Sequence, residues 1–197
     1  MTSFSLPTST DHAALTLADW ICATAPSQPD LLTHLKLQKL AFYCYGALLA
    51  FGLERELGTI EFQAWKHGPV SPAMYRKFQP CGREPILFQV HKPSLDVQVE
   101  AVASDVVNVY GRLTAWQLRE ESHLENPWTS AYDDTSRNVI PAEQMREHFH
   151  AKFCLGVVQF PERLFGGSSL RLDRIPVPTF RSLREMSIAA TRILGPA

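Results

Sequence analysis

The sequence lacks the glycine-rich segments with which many proteins bind phosphate groups. It contains no GxxxxGK followed by serine or threonine and no GxGxxG, and no lysine follows its one glycine pair at positions 166 and 167. Backbone N–H groups in such loops cradle nucleotide phosphates, so nucleotide hydrolysis has no support in the sequence.

Cysteine is scarce, and no two cysteines are close in sequence. The four residues, Cys22, Cys44, Cys81 and Cys154, form no CxxC pair and have no histidine at the spacing of a zinc site. Such spacing is not typical of a disulfide framework or of a structural metal site. We therefore expect reduced thiols in a cytoplasmic protein that holds no metal ion and no cofactor.

Long hydrophobic runs are also missing. The longest uncharged run, residues 40–53, has 14 residues, whereas a membrane-spanning helix needs about 20. Residues 1–10 have neither the basic block nor the apolar block of a secretory signal. With 45% hydrophobic and 20% charged residues, the composition is that of an ordinary globular protein with no membrane partner.

Net charge is only −1 over the whole chain, but charge is unevenly distributed. Residues 1–150 carry 12 Lys and Arg against 17 Asp and Glu, whereas residues 151–197 carry 7 against 3. This small positive excess is weak evidence for nucleic-acid binding. A solvated helix face or a protein-docking surface fits it better. If the segment docks a protein, the candidate partner-binding residues are Arg171, Arg174, Arg181 and Arg184.

The segment from Thr33 to Leu53, THLKLQKLAFYCYGALLAFGL, has its charged residues at one end and is otherwise almost wholly apolar. At 3.6 residues per turn its apolar side chains lie on two opposite sides, which predicts a helix surrounded by protein. Lys39 lies between Leu35 and Phe42 on one of these sides. Because an unpaired buried ammonium is costly, we expect Lys39 to reach solvent along its methylene chain or to pair with a carboxylate.

Capping residues and prolines divide the rest of the chain. Ser71 before Pro72 predicts the start of a short helix, and Thr114 with Gln117 three residues later predicts another. Asn126-Pro127 is expected to end that second helix.

The rest of the sequence predicts further helices and one short strand. Helical patterns begin near residue 10, at Ser104, after Pro141 and at Thr179, and residues 60–65 alternate like a short strand. Together they predict a mainly α protein. We expect a compact helical domain around a buried central helix, with a minor short β element and a C-terminal helical extension.

The histidines allow one catalytic hypothesis. His67 lies in a turn, and His123 lies in an acidic stretch at 120–125, so either ring could act as an acid or a base. No recognisable nucleophile motif accompanies them. Carboxylates at this density more often form a solvated helix face, but a hydrolase that uses His67 or His123 stays open as an alternative.

Large aromatic residues lie in or beside the turn-rich segments, namely Trp65, Tyr75, Trp116 and Trp128. Tryptophan and tyrosine are favoured both at the edges of cores and in binding hot spots. We expect these side chains to pack the turns on to the central helix. A protein-binding face is the main alternative.

Four segments, LTHLKLQKLAFYCYGALLAFG, IEFQAWKHGPVSPAMYRKF, VYGRLTAWQLREESHLENPW and IPAEQMREHF, resemble the Panacea domain of the SocA-like antitoxin family. Their order and spacing agree over about residues 11–150. The residues that match the motifs of the family are Leu37, Lys39, Leu40, Trp65, Gly68, Pro69, Val70, Pro72, Tyr75, His123, Pro127 and Trp128. The resemblance does not make them toxin contacts. We expect residues 68–70 and 127–128 to fix loops against the central helix, with Lys39 paired to Glu121 or Glu125.

The resemblance implies a small, mostly helical antitoxin without enzymatic activity, which neutralises a cognate toxin by direct binding. Some members are described as handing the bound toxin to a AAA+ protease, so a proteolytic adaptor is one expected form of the function. We expect this domain at residues 1–150, followed by a basic extension at 151–197 about which the family pattern says nothing. A phage-derived regulatory interaction domain without a toxin is a further alternative.

Overall fold

The computed structural model describes residues 9–25, 30–87 and 90–153. In chain order the elements are α1 (Ser9–Thr24), α2 (His34–Phe51), α3 (Glu54–Leu57), β1 (Gln63–Trp65), β2 (Gly68–Val70), α4 (Pro72–Phe78), a 3-10 turn (Gln79–Cys81), α5 (Val97–Tyr110), α6 (Ala115–His123), α7 (Asn126–Ala131) and α8 (Ala142–Phe153). The predicted mainly α fold with a minor β element is confirmed. The helix predicted from Thr179 lies outside the described residues.

Helix α2 lies at the centre of the fold, as its apolar composition predicts. Helices α5, α6 and α8 pack along it, and α1, α4 and β2 also contact it. All residues from Lys36 to Leu49 are buried. The Thr33 side chain caps the first turn, and Gly52 ends the helix with a φ of 70°, a left-handed conformation that glycine adopts without steric cost.

Strands β1 and β2 form an antiparallel hairpin joined by Lys66 and His67. On its other edge β1 pairs with residues 138–140. The alternation predicted for residues 60–65 is confirmed, since buried and more exposed side chains alternate along it. The sequence biases Gly68-Pro69 to an extended or turn geometry. These residues are extended and form β2, and the proline is tolerated because β2 is an edge strand.

One helix boundary differs from the prediction. Helix α5 begins at Val97 rather than at Ser104, because the carboxylate of Asp96 caps it by accepting from the N–H of Gln98 at 2.8 Å. The run VQVE alternates valine with polar residues, a pattern typical of a strand, which concealed the start of the helix. Helix α6 ends at His123, before Asn126-Pro127 as predicted, and Pro127 then lies in the first turn of α7.

Three of the four cysteines lie in the described part of the chain. Cys44 is buried, Cys22 and Cys81 are half-buried, and all three are free; Cys154 lies outside the described residues. Over the described ranges no group of three or more His, Cys, Asp or Glu side chains could hold a metal ion. In the same part of the chain no helix has the length and apolar character needed to cross a membrane.

Helix α8 comes very close to α2 at Gly46. A Cβ on residue 46 would lie 2.3 Å from two ring carbons of Phe149. Phe149 is fully buried and packs edge-on against Phe42, with ring centroids 5.3 Å apart. Movement of this ring away from residue 46 would therefore disturb the aromatic packing around it.

Gly46→Ala is expected to destabilise the protein by about 1–3 kcal/mol, the usual cost of overpacking a core. The sign is informative, because at an open position in a helix the same change stabilises by about 1 kcal/mol. Urea unfolding measures the difference. In a Phe149→Ala background the obstructing ring is gone, so Gly46→Ala should then be neutral or stabilising. An equal loss in both backgrounds would contradict this account of the packing.

Candidate functional site

Two consecutive polar residues of α2, Gln38 and Lys39, hold the hairpin and the turn that follows it. Gln38 Oε1 accepts from the N–H of Ser71 at 2.8 Å, and its side-chain nitrogen lies 3.0 Å from His34 Nε2. Lys39 Nζ donates to the carbonyl oxygen of Pro69 at 2.8 Å. The chain from β2 to the start of α4 is thereby fixed against the central helix.

Lys39 meets neither of the two expectations for its ammonium group. Its side chain is fully buried, so it does not reach solvent, and its hydrogen bond goes to a backbone carbonyl rather than to a carboxylate. Glu125, one of its predicted partners, pairs with His148 and Lys152 instead. The predicted ion pair between Lys39 and Glu125 is therefore wrong. Burial, reinforced by the positive charge of Arg119, lowers the pKa of Lys39 to about 7.

Lys36, one turn earlier on α2, shows the contrasting arrangement. It too is fully buried, but it pairs with Asp30. The second carboxylate oxygen of Asp30 accepts from the N–H of Ala115 at 2.9 Å, the first residue of α6. This ion pair therefore holds the start of α6 beside the start of α2.

Gly68 lies where the hairpin, α2 and α6 meet. Its φ of 93° lies in the region that favours glycine over all other residues. A Cβ here would lie 2.6 Å from Ser122 Oγ and 2.8 Å from Lys39 Cε. Both the backbone conformation and the close approach therefore require glycine at this position.

Basic side chains from three segments converge beside Gly68, and we call Lys39, His67, Arg119 and His123 the basic cluster. Arg119 Nε donates to His67 Nδ1 at 3.4 Å. His123, one turn further along α6, stacks flat on Trp128 with ring centroids 4.1 Å apart. Its Nε2 is buried and meets no hydrogen-bond partner among the described residues.

Burial and the charge of Arg119 lower the pKa values of Lys39, His67 and His123. Burial lowers the pKa of His123 to about 4, and the charges of Arg119 and Lys39 act in the same direction. The pKa of His67 is lowered by burial and then by the same two charges. Both imidazoles are therefore mainly neutral at pH 7.

Aromatic and basic side chains, some exposed and some half-buried, surround this cluster. Trp116 is 61% exposed, and the guanidinium of Arg119 lies 4.7 Å from its ring centroid. On the hairpin, the Trp65 ring lies 3.9 Å from the guanidinium of Arg137 and 4.8 Å from the ring of Tyr75. The contact between His67 and Arg119 joins the two halves. We call this surface the aromatic–basic face; it consists of Trp65, His67, Tyr75, Trp116, Arg119 and Arg137.

Most residues singled out in the sequence are buried, namely Leu37, Lys39, Leu40, Gly68, Pro69, Val70, Pro127 and Trp128. Trp65, Pro72 and His123 are half-buried, and Tyr75 is exposed. Trp128 Nε1 donates to the carbonyl oxygen of Trp65 at 3.1 Å, so the second and third motif segments meet. The candidate partner-binding residues Arg171, Arg174, Arg181 and Arg184 lie outside the described residues.

Sequence reasoning missed two residues that organise the site. Gln38 was passed over because a glutamine within an apolar helix carries no signal of its long-range partner. Arg119 carries no such signal by itself, since an arginine in a polar helix is usually solvated. Its position four residues before His123 places both on one side of α6, and that spacing was the available signal.

The two candidate catalytic histidines do not contact a nucleophile in the described part of the chain. His67 accepts from Arg119, and His123 stacks on Trp128. The nearby hydroxyl of Ser122 is fully buried and donates to the backbone carbonyl of Arg119 at 2.8 Å. The hydroxyl hydrogen of Ser122 is thus donated to a backbone carbonyl and not to either imidazole.

A buried helix that holds a short hairpin beside a basic cluster thus defines the site. Residues 37–129, which contain these elements, match the family described as Antitoxin SocA-like, Panacea domain. Over these residues the chain is therefore similar to the SocA-like Panacea family.

The chain is also similar to a curated protein. Antitoxin SocA from Caulobacter vibrioides (strain NA1000 / CB15N) is 33% identical to this chain over 110 residues. The match covers 49% of this chain and 58% of that protein, so the chain spans less than two thirds of the length of this relative. No solved structure matches the chain.

The two buried lysines of α2 form a matched pair for a stability test. Lys39→Met should change the free energy of unfolding at pH 7 by less than about 1 kcal/mol or increase it, because no carboxylate loses its partner. Lys36→Met removes the partner of Asp30 and should cost about 2 kcal/mol, the value of a hydrogen bond to a charged group. Urea unfolding compares them, and an equal loss in both variants would contradict the described pairing.

The pH dependence of stability gives a second readout of the same prediction. The ordinary pKa of lysine is 10.5 and that of Lys39 is about 7, so between these values the unfolded chain binds a proton that the native chain does not. Native stability attributable to Lys39 therefore falls as the pH decreases from 10.5 to about 7. Lys39→Met should lack this fall. Identical pH profiles would show that the lysine is not buried as described.

Proposed function

We propose that the protein is a non-enzymatic antitoxin that neutralises a cognate protein toxin by binding it directly. The family of residues 37–129 and the relative named Antitoxin SocA support this role. The observation that carries the proposal is the aromatic–basic face, in which the exposed Trp116 is stacked with Arg119 on a scaffold fixed by buried contacts.

The composition of this face is that of a binding surface. Tryptophan, tyrosine and arginine are the residue types enriched in binding hot spots. Their side chains here are already held in place, because Trp65 lies against Arg137 and Tyr75, and its backbone carbonyl accepts from Trp128. A surface ordered before binding loses less conformational entropy when the partner arrives.

Binding is proposed to occur in the cytoplasm and to mask the active surface of the toxin. Delivery of the bound toxin to a AAA+ protease is the finer alternative within the same proposal. The two differ in the fate of the toxin, because masking leaves it intact in the complex whereas delivery shortens its lifetime in the cell.

The division into a domain at 1–150 and a basic extension at 151–197 also stays a proposal. The extension carries Arg171, Arg174, Arg181 and Arg184, which would attract an acidic toxin surface over distances of about one Debye length and so speed association at low salt. The aromatic–basic face, by contrast, would supply most of the affinity.

Trp116→Ala tests the proposed face. The toxin is first recovered by pull-down from the native cell and recognised because it arrests growth when expressed alone. Loss of a central tryptophan should raise the dissociation constant by about 30-fold, the effect of removing a hot-spot residue worth 2 kcal/mol. Val97→Ala is the matched control, since Val97 is a 77% exposed apolar residue at the start of α5, outside the face. Calorimetry measures both affinities.

Protection of cells against the toxin should follow the same order as the two measured affinities. Cells that express the toxin with the Val97→Ala chain should grow, and cells with the Trp116→Ala chain should not. Wild-type affinity for Trp116→Ala would remove the face from the proposal. Recovery of no growth-arresting partner from the native cell would count against the antitoxin role itself.

A further inference from the structure

The basic cluster at the centre of the aromatic–basic face contains more positive charge than negative charge. Lys66 and Arg83 act on His67 in addition to Arg119 and Lys39. Among the groups that act on His123, the acid is Glu120, on the same helix. An excess of one sign at a partly covered site creates a potential that attracts an ion of the opposite sign.

Arg119 holds a carboxylate already, which indicates the chemistry that the site accepts. Its Nη1 forms an ion pair with Glu120, whose side chain is 54% exposed and so is easily displaced. Arginine has five N–H donors in a planar fork, and Nε–H donates to His67. The cation–π contact with the Trp116 ring restricts the orientation of the guanidinium. The N–H groups of Arg119 that are not already bonded are therefore held in a defined direction.

His67 presents a second donor beside the guanidinium. Because its Nδ1 accepts from Arg119 Nε, a neutral ring carries its proton on Nε2. His67 is exposed, so this N–H is accessible from outside. Behind it, the buried Nε2 of His123 has no partner among the described residues, and the ammonium of Lys39 contacts a neutral carbonyl.

We infer that Arg119 and His67 bind an oxoanion, that the protonated form of Lys39 adds positive charge behind them, and that the partner provides this oxoanion as a carboxylate. The partner part of this inference rests on the proposed function, whereas the oxoanion site is a property of the chain alone. A carboxylate from the partner would replace Glu120 on Arg119 and lie between the Trp116 and Trp65 sides of the face.

Binding of an anion is coupled to proton uptake at this site. A negative charge beside the basic cluster raises the pKa values of Lys39 and of the two imidazoles. The complex then holds more protons than the free chain at pH values just above 7, where Lys39 loses its proton in the free protein. Affinity for the anion should therefore increase as the pH is lowered from 8 to about 6.

The test uses the full chain with acetate as the probe, at constant ionic strength set with chloride. Ring resonances of His67 and His123 are followed by NMR in the wild type, Glu120→Gln and Arg119→Gln. Acetate should shift the His67 resonances saturably in the wild type. Acetate should bind about threefold tighter to Glu120→Gln, because one competing exposed ion pair has been removed. The Arg119→Gln chain should show no saturable binding of acetate.

Two results would overturn the oxoanion site: no saturable shift in the wild type and in Glu120→Gln, or the same shift in Arg119→Gln. Arg119→Lys is a second variant that keeps the charge but loses the planar fork; it should bind acetate more weakly than the wild type. Circular dichroism and the melting temperature establish that each variant is folded. Inorganic phosphate is a parallel probe, and much tighter binding of phosphate than of acetate would contradict a partner carboxylate.

A final arm separates this inference from the proposed function. Acetate should weaken binding of the recovered toxin to the wild type and have less effect on the Arg119→Gln chain. Toxin binding that is insensitive to acetate would sink the carboxylate inference while leaving the antitoxin proposal intact. If the chain binds acetate but no toxin is recovered from the native cell, the oxoanion site is upheld and the proposed function is contradicted.

Discussion

The hydrogen bond from the buried Lys39 to the carbonyl oxygen of Pro69 is the contact on which the rest of the site depends. It joins the central helix to the hairpin that carries Trp65 and His67. A buried lysine without a carboxylate is not an efficient source of stability, since its ammonium loses hydration and gains one neutral acceptor. Its presence in α2 is therefore better explained by the position and charge that it gives the surface above it than by the stability of the core.

A helix that is buried on every side has no surface of its own for function. In this fold α2 instead determines where other segments lie: Gln38 and Lys39 fix residues 69–71, and Lys36 fixes the start of α6 through Asp30. Four segments that are distant in sequence thereby contribute to one aromatic–basic face. Because α2 and its packing helices form the core, the residues of this face do not have to be apolar for the protein to fold. Their side chains can therefore be suited to a partner.

The sequence predicted those features that local rules determine. The start of α4 at Pro72, and the capping box of α6, follow from residues within one turn of each boundary. The partner of Lys39 could not be predicted in this way, because Pro69 comes within reach only when the hairpin folds back on α2. The stacking of His123 on Trp128 was hidden for the same reason: it depends on how α7 turns back after α6.

The central claim is that a surface organised by α2, with no reaction centre, performs the function by binding. Hydrogen–deuterium exchange of the chain alone and in complex with the recovered toxin tests this most directly. The account predicts new protection in residues 63–70, in the first turn of α6 and around Arg137, with the core of α2 protected in both states. Protection confined to α5 and its preceding loop, with residues 63–70 unchanged, would contradict it.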